Sequence, residues 1–306
     1  MKGYYYNQIC SNHSFFVGAW QGQTLKKGKK MDYTKFIRTM QNKVKENLCS
    51  DVTVEIHSTV KNNGTIRTGL IFNQPGVNVS PTIYLEEFYD QYLQGESVND
   101  LVLSIQEIYE KVKVKKSFPY NNILDYSKMK DRIVYKVIRR ESNEELLKQI
   151  PYENFLDLAI VFYALLETTE FGTATLLIRN EHLRGWQISK KEIIEAAREN
   201  TPKLLPIEVG MLTEYMYIVT NSMRSFGAAV MTYDGVLKQI RAMLGENFYV
   251  LPSSVHEIIL VPESYGMERS HLQEMVKEIN RTEVENEEIL SDNVYYYSGK
   301  EERLLY

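Results

Sequence analysis

Ser253, Ser254, His256 and Glu257 fall within five consecutive residues, inside the stretch Phe248-Tyr-Val-Leu-Pro-Ser-Ser-Val-His-Glu-Ile-Ile-Leu-Val-Pro262. Together they offer a hydroxyl nucleophile, an imidazole base and a carboxylic acid. If the segment is extended, side chains alternate, so Ser254 and His256 share one face while Val255 and Glu257 take the other. A serine beside an imidazole is what a base-activated nucleophile needs, and a hydrolase-like reaction is the chemistry it would serve. Glu257 then cannot orient the histidine, and a third group such as Asp234 or Glu263 would have to. The segment also lacks the Gly-x-Ser-x-Gly frame that exposes a hydrolase nucleophile. The plainer reading makes Pro252 and the serines a turn and His256 the end of an apolar strand. Ser254 and His256 are the candidate catalytic residues on the first reading; on the second there are none.

Other chemistry is excluded more firmly. His256-Glu257 begins a His-Glu-x-x-His zinc motif, but the second histidine position holds Leu260 and the segment reads as strand, not helix. The remaining histidines, His13, His57, His182 and His271, have no ligand spacing, so no metal is expected. Neither Gly-x-x-x-x-Gly-Lys-Ser/Thr nor Gly-x-Gly-x-x-Gly occurs, so no nucleotide cofactor is expected through those devices. Asp125, Asp131, Glu144 and Glu145 lie in or beside helices and read as solvated surface. Trp186 reads as the cover of a core edge.

The elements that must position these residues are written in periodicity and caps. Asp32 caps a helix with an apolar face of Phe36, Ile37, Met40, Val44 and Leu48. Val52 to Val60 and Ile66 to Phe72 read as strands joined at Asn62-Asn63-Gly64, residues that tolerate positive φ. A short helix closes at Gly95, and Ser97 with Asp100 caps the next one through Val112. Ile133 to Ile138 reads as a strand, and Ser142 with Glu145 as a helix cap. Phe155 to Leu166 is an apolar run that fits either a long strand or a helix. Thr173 to Ile178 reads as a strand, followed by a helix capped by Ser189 and Glu192 that stops before Pro202. Met216 to Thr220 and Ala228 to Thr232 read as strands, and a helix capped by Asp234 ends at Gly245. After the Phe248–Pro262 hairpin come a helix capped by Ser270 and Gln273, then edge strands at Val294 to Tyr297 and Leu304 to Tyr306. Paired strands broken by single helices predict an α+β fold with mostly antiparallel sheets and helices packed on one face.

At 306 residues the chain suits one large domain or two ordinary ones. Residues 1–30, rich in Gly, Lys and Asn, read as an N-terminal extension. Residues 31–118 read as an N-terminal α+β subdomain and 119–306 as a C-terminal α+β domain, with Lys111 to Tyr120 as linker. Two isolated cysteines, Cys10 and Cys49, point to a reducing compartment, and no stretch has the apolar length of a membrane span. The expectation is a cytoplasmic protein without membrane contact.

A net charge of -4 conceals segregation. Residues 1–50 carry nine Lys/Arg against two Asp/Glu, residues 111–140 ten against two, and residues 263–292 three against nine. Basic segments 26–45 and 111–140 are the footprint a nucleic-acid partner would use, although a solvated face or an internal acidic contact gives the same pattern. The 22 tyrosines, with runs at Tyr4–Tyr6 and Tyr295–Tyr297, suit half-buried strands and protein interfaces.

Several blocks in order resemble an uncharacterised bacterial family, a domain of unknown function met in gut-dwelling gram-positive bacteria and on their mobile elements. They are Val79-Ser-Pro-Thr-Ile-Tyr-Leu85 with Phe88, Tyr89 and Tyr92; Phe155-Leu-Asp-Leu-Ala159; Asn200-Thr-Pro202; Phe248 to Pro262; and Leu290-Ser-Asp292 with Val294-Tyr295. The resemblance runs from Met31 to the last residue. It implies a bacterial cytoplasmic protein in an accessory or host–element interaction role, and it assigns no catalytic residue to any position. The leading expectation is a non-enzymatic interaction protein with a protein partner. A hydrolase built on Ser254 and His256, and a nucleic-acid accessory protein, are the alternatives.

Overall fold

The computed structural model describes residues 30–48, 51–77, 80–113, 120–169 and 172–306. The expected extension (residues 1–30, apart from Lys30), both cysteines and most of the expected linker lie outside them. Three antiparallel sheets with accompanying helices make the fold α+β. The chain divides into two compact units. The first takes the described residues up to Val60, then Ile66–Tyr120 and Leu166–Leu176; the second takes Lys61–Thr65, Asn121–Leu165 and Leu177–Tyr306.

In the first unit, helix α1 (Tyr33–Asn47) starts at Asp32, whose carboxylate accepts the Lys35 amide at 2.8 Å. Strands β1 (Thr53–Val60) and β2 (Ile66–Asn73) pair across the Asn62–Gly64 turn, where Asn63 and Gly64 take φ of 56° and 70° as the asparagine-glycine signal requires. Strand β3 (Thr82–Tyr84) pairs with β2, and helices α2 (Glu86–Gln94) and α3 (Val98–Val112) follow. Phe36, Met40 and Val44 of α1 join Leu70 and Phe72 of β2 and Leu101, Ile105 and Tyr109 of α3 in one buried core. Glu86 anchors its rim, accepting from the Tyr33 hydroxyl and from the Thr68 amide, both at 2.7 Å.

The second unit opens with short helices α4 (Tyr120–Ile123) and α5 (Tyr126–Met129). Strands β4 (Ile133–Arg139), β5 (Tyr152–Phe155) and the first part of β6 (Leu158–Thr169) form its first sheet, with the one-turn helix α6 (Glu144–Leu147) after β4; the end of β6 and nearly all of β7 (Gly172–Leu177), which pairs with β6, are counted with the first unit. The apolar run at Phe155–Leu166 is therefore not a helix: it holds the end of β5, a turn at Leu156–Asp157 and the start of β6. Its β-branched and aromatic residues pack on both faces of β6, and Leu158 to Ala164 are all buried. Helices α7 (Asn180–Trp186) and α8 (Lys190–Leu204) come next, and Thr201 of α8 accepts the amide of Tyr135 in β4. Strands β8 (Ile207–Thr213) and β9 (Met216–Asn221), helix α9 (Val236–Leu244), strands β10 (Phe248–Leu251) and β11 (Ile258–Pro262), helix α10 (Arg269–Thr282), and strands β12 (Tyr295–Ser298) and β13 (Arg303–Leu305) complete the unit. Their sheet runs β13-β12-β10-β11-β9-β8. Leu272 and Val276 of α10 pack on Leu251 and Val261.

Several local expectations are corrected. Residues Gly227–Thr232 form a 3₁₀ segment instead of a strand at Ala228–Thr232. There the small residues Gly227, Ala228 and Ala229 fit a tight buried turn where a pleated strand would leave them unpacked. Helix α8 continues through Pro202 to Leu204, since a proline in the last turn forfeits one backbone bond only. Glycine 235, not Asp234, precedes α9; α10 starts at Arg269 with Ser270 inside it; and α6 has no side-chain cap from Ser142. Strand β12 is interior, covered by β13.

Candidate functional site

Backbone pairing of the central hairpin stops at Leu251 and resumes at Ile258, so Pro252–Glu257 is a loop, with one isolated bridge from Ser254 to Ile289. Strand alternation therefore does not govern Ser254, His256 and Glu257. The Ser254 hydroxyl oxygen accepts the backbone amide of His256 at 3.0 Å and also bonds the Glu257 carboxylate. The imidazole is held elsewhere. Its Nδ1 accepts the Phe226 amide at 3.3 Å, and its Nε2 lies 3.2 Å from Glu288 Oε1. An Nδ1 that accepts carries no proton, so neutral His256 is the Nε2–H tautomer and donates to Glu288.

A layered stack surrounds this ring. Phe226 lies nearly parallel to His256 with centroids 5.7 Å apart, and Lys136 Nζ sits over the Phe226 ring, 3.8 Å from its centroid. Tyr163 meets Phe226 edge-on at 5.8 Å. Phe226 takes a positive φ of 55°, and Asn221 ties the preceding turn by accepting the Met223 amide at 3.0 Å and donating to the Ser225 carbonyl at 2.9 Å. A Cβ on Gly227 would overlap Thr220 Oγ1 and the His256 carbonyl oxygen, so only glycine lets the two segments close. Burial pushes the Glu257 carboxyl up, against the pull of His256 and with the push of Glu288.

This arrangement brings Ser254, His256 and Glu257 together, but not as nucleophile and base. The one lone pair of the neutral imidazole is spent on a backbone amide, and the serine bonds backbone and Glu257 rather than the ring. Phe226, Lys136 and Glu288 were not singled out from the sequence. A bulky residue before Gly227 was a local hint of special backbone geometry, whereas Glu288 lies 32 positions from His256 with no motif linking them.

In the basic segments, three described residues pair with acids. Lys113 pairs with Glu110, Lys128 with Asp125 at 3.9 Å, and Arg139 with Asp292 of the acidic block at 2.8 Å. Residues 26–29 and 114–119 lie outside the described residues. Among those described, no group of three or more His, Cys, Asp or Glu is placed to hold a metal ion, and no helix is long and apolar enough to cross a membrane.

Strand β8 is a different kind of feature. Among the described residues it ends the six-stranded sheet, pairs with β9 and has no strand on its other edge. Val209, Met211 and Leu212 are 43%, 70% and 54% exposed, and Tyr215 in the tight turn to β9 is 53% exposed. Its turn borders a cavity of about 340 Å³, where Tyr215 stacks on Tyr265 with centroids 5.0 Å apart.

Residues 33–216 and 210–299 match a single family model. The chain belongs to DUF5688, a family of unknown function. The matched range takes in β8, the cavity residues and the His256 stack, so all three are features of the DUF5688 region and none is an appendage to it. No curated protein and no solved structure matches the chain. Membership in a domain of unknown function is what the sequence blocks implied, and the match starts at residue 33, two residues after the expected start of the resemblance at Met31.

Proposed function

We propose that this protein acts by binding another protein, without catalysis, in the bacterial cytoplasm, and that β8 is the strand on which the partner docks. The observation that carries this reading is the apolar open edge. Edge strands are ordinarily blunted by lysine, proline or a covering loop, because their unpaired N–H and C=O groups recruit other chains. Here a bulge between Met211 and Thr213 and the charge of Glu208 interrupt the edge, yet Val209, Met211 and Leu212 stay exposed beside it. An extended segment adding to β8 would gain main-chain hydrogen bonds and bury these side chains alternately. The two isolated cysteines and the family resemblance support the cytoplasmic and bacterial setting.

The test is a photoreactive residue in place of Val209, activated in the producing cells. The expected product is one heterologous protein, joined through an extended segment, whose yield drops in Met211→Asn/Leu212→Asn. Crosslinks only to a second copy of this chain, or no crosslinks at all, would remove the reading.

A further inference from the structure

We infer that Asn63 is a spontaneous modification site, a deamidation switch that the fold holds shut and whose conversion frees the loop at residues 286–289.

Asn63 is the only asparagine of the chain followed by glycine, and the pair sits in the Asn62–Gly64 turn, counted with the second unit. In such a pair the backbone nitrogen of the glycine attacks the asparagine Cγ. A new N–Cγ bond closes a five-membered imide, the Cγ–Nδ2 bond breaks, and ammonia leaves. Water then opens the imide at either carbonyl, giving aspartate or its β-linked isomer, isoaspartate. Glycine favours the step because no side chain crowds its nitrogen. Gly64 is exposed, with no atom within 4 Å of where a Cβ would stand.

The folded turn withholds this chemistry in two ways. Ring closure brings Cβ and the glycine nitrogen to the same side of the Cα–C bond, whereas Asn63, at φ 56° and ψ 26°, holds them on opposite sides. Its carboxamide is also fully engaged. Nδ2 donates to the Asn286 and Ile289 carbonyls at 2.8 and 2.7 Å, and Oδ1 accepts Asn143 Nδ2 at 3.1 Å. Asn143, itself buried, accepts the Asn63 backbone amide at 3.1 Å and donates to the Arg139 carbonyl at 2.7 Å. Asn62 and Asn286 brace the same contact, donating to the Glu287 carbonyl at 2.8 Å and to Thr65 Oγ1 at 2.7 Å. Conversion therefore waits on local opening of the turn, which breaks these bonds together.

Once converted, the turn cannot close as before. A carboxylate has no hydrogen to give, so a donor becomes an oxygen facing the Asn286 and Ile289 carbonyl oxygens. Isoaspartate also adds a methylene to the backbone of the turn. The freed loop is the one that holds His256: Glu288 meets its ring, and the Val255 amide donates to the Glu288 carbonyl at 2.8 Å. A change at Asn63 thus reaches the Pro252–Glu257 loop through residues 286–289.

The test keeps the full chain in mildly alkaline buffer, native and in urea, and follows Asn63 by mass-spectrometric peptide mapping. The native protein is expected to convert at least roughly tenfold more slowly than the unfolded chain, since only the open turn reacts. Asn143→Ala and Asn286→Ala should each speed native conversion several-fold and leave the rate in urea unchanged. Asn286→Ala removes one bond at the surface, so it decides the outcome where Asn143→Ala fails to fold. Converted protein, separated by its added negative charge, should exchange its Val255 amide with deuterium several-fold faster than unconverted protein. Equal rates in the native and unfolded chain, a native rate unmoved by Asn286→Ala, or unchanged Val255 exchange after conversion overturns the inference.

Discussion

His256 Nε2 lies 3.2 Å from Glu288 Oε1, while the other ring nitrogen accepts the Phe226 amide. A histidine clamped at both nitrogens between a carboxylate and a backbone donor is a strut joining three chain segments. His256→Ala is therefore expected to lower stability by roughly 1–3 kcal/mol, because it strips a partner from a buried amide. Ser254→Ala, which loses only bonds to backbone and Glu257, should cost about 0.5–1.5 kcal/mol. Urea unfolding measures both. A fluorophosphonate probe should leave Ser254 unlabelled in the folded protein, and stoichiometric labelling there would restore the nucleophile.

Glu257 predicts the opposite sign. Its folded carboxyl is raised above the ordinary value by burial, so its contribution to stability is fully present in acid and lost as pH rises through the folded value. At neutral pH the ionised side chain is a burden. Glu257→Gln keeps an oxygen that accepts from Ser254 and should raise the melting temperature at pH 7, with the gain vanishing in acid. Equal shifts at both pH values would contradict it.

Tyr135 governs the alkaline side. Burial pushes its hydroxyl up to about 12, and a raised folded value means stability kept below pH 10 and lost as pH climbs towards 12. Tyr233 and Tyr295 are raised further by burial and add to the same slope. Melting temperatures across this range should fall steeply in the native protein and less so in Tyr135→Phe, which at neutral pH loses only the Thr232 hydrogen bond.

Gly227→Ala is expected to cost roughly 1–3 kcal/mol although it adds a single methyl group. The methyl would meet Thr220 of β9 and the His256 carbonyl, which the Thr220 hydroxyl bonds at 2.8 Å. Ala228→Gly, one residue on and equally buried, has no such overlap to create, and its smaller loss in the same unfolding assay separates close approach from packing.

Much of this was written locally. Asp32, Ser97 and Ser189 cap the helices they were read to cap, because a cap needs only its own next three residues. The Asn63-Gly64 turn and the Phe248–Pro262 hairpin were legible for the same reason. Strand β8 was not: Ile207-Glu-Val-Gly-Met-Leu-Thr213 breaks alternation at Gly210 and bulges between Met211 and Thr213. The fate of His256 was equally hidden. Its ring partners come from a turn at Phe226 and a loop at Glu288, and no periodicity encodes a meeting of three loops.

The loop at Pro252–Glu257 carries no regular strand, yet its backbone is wired to residues 288–291. The Val255 amide bonds the Glu288 carbonyl at 2.8 Å, and the Leu290 and Ser291 amides bond the Ser253 and Pro252 carbonyls at 2.9 and 3.0 Å. For anyone engineering this chain, such a segment is a poor place for an epitope tag or a circular-permutation cut, whatever its label as a loop. An insertion there would unpick the last third of the second unit from its own sheet.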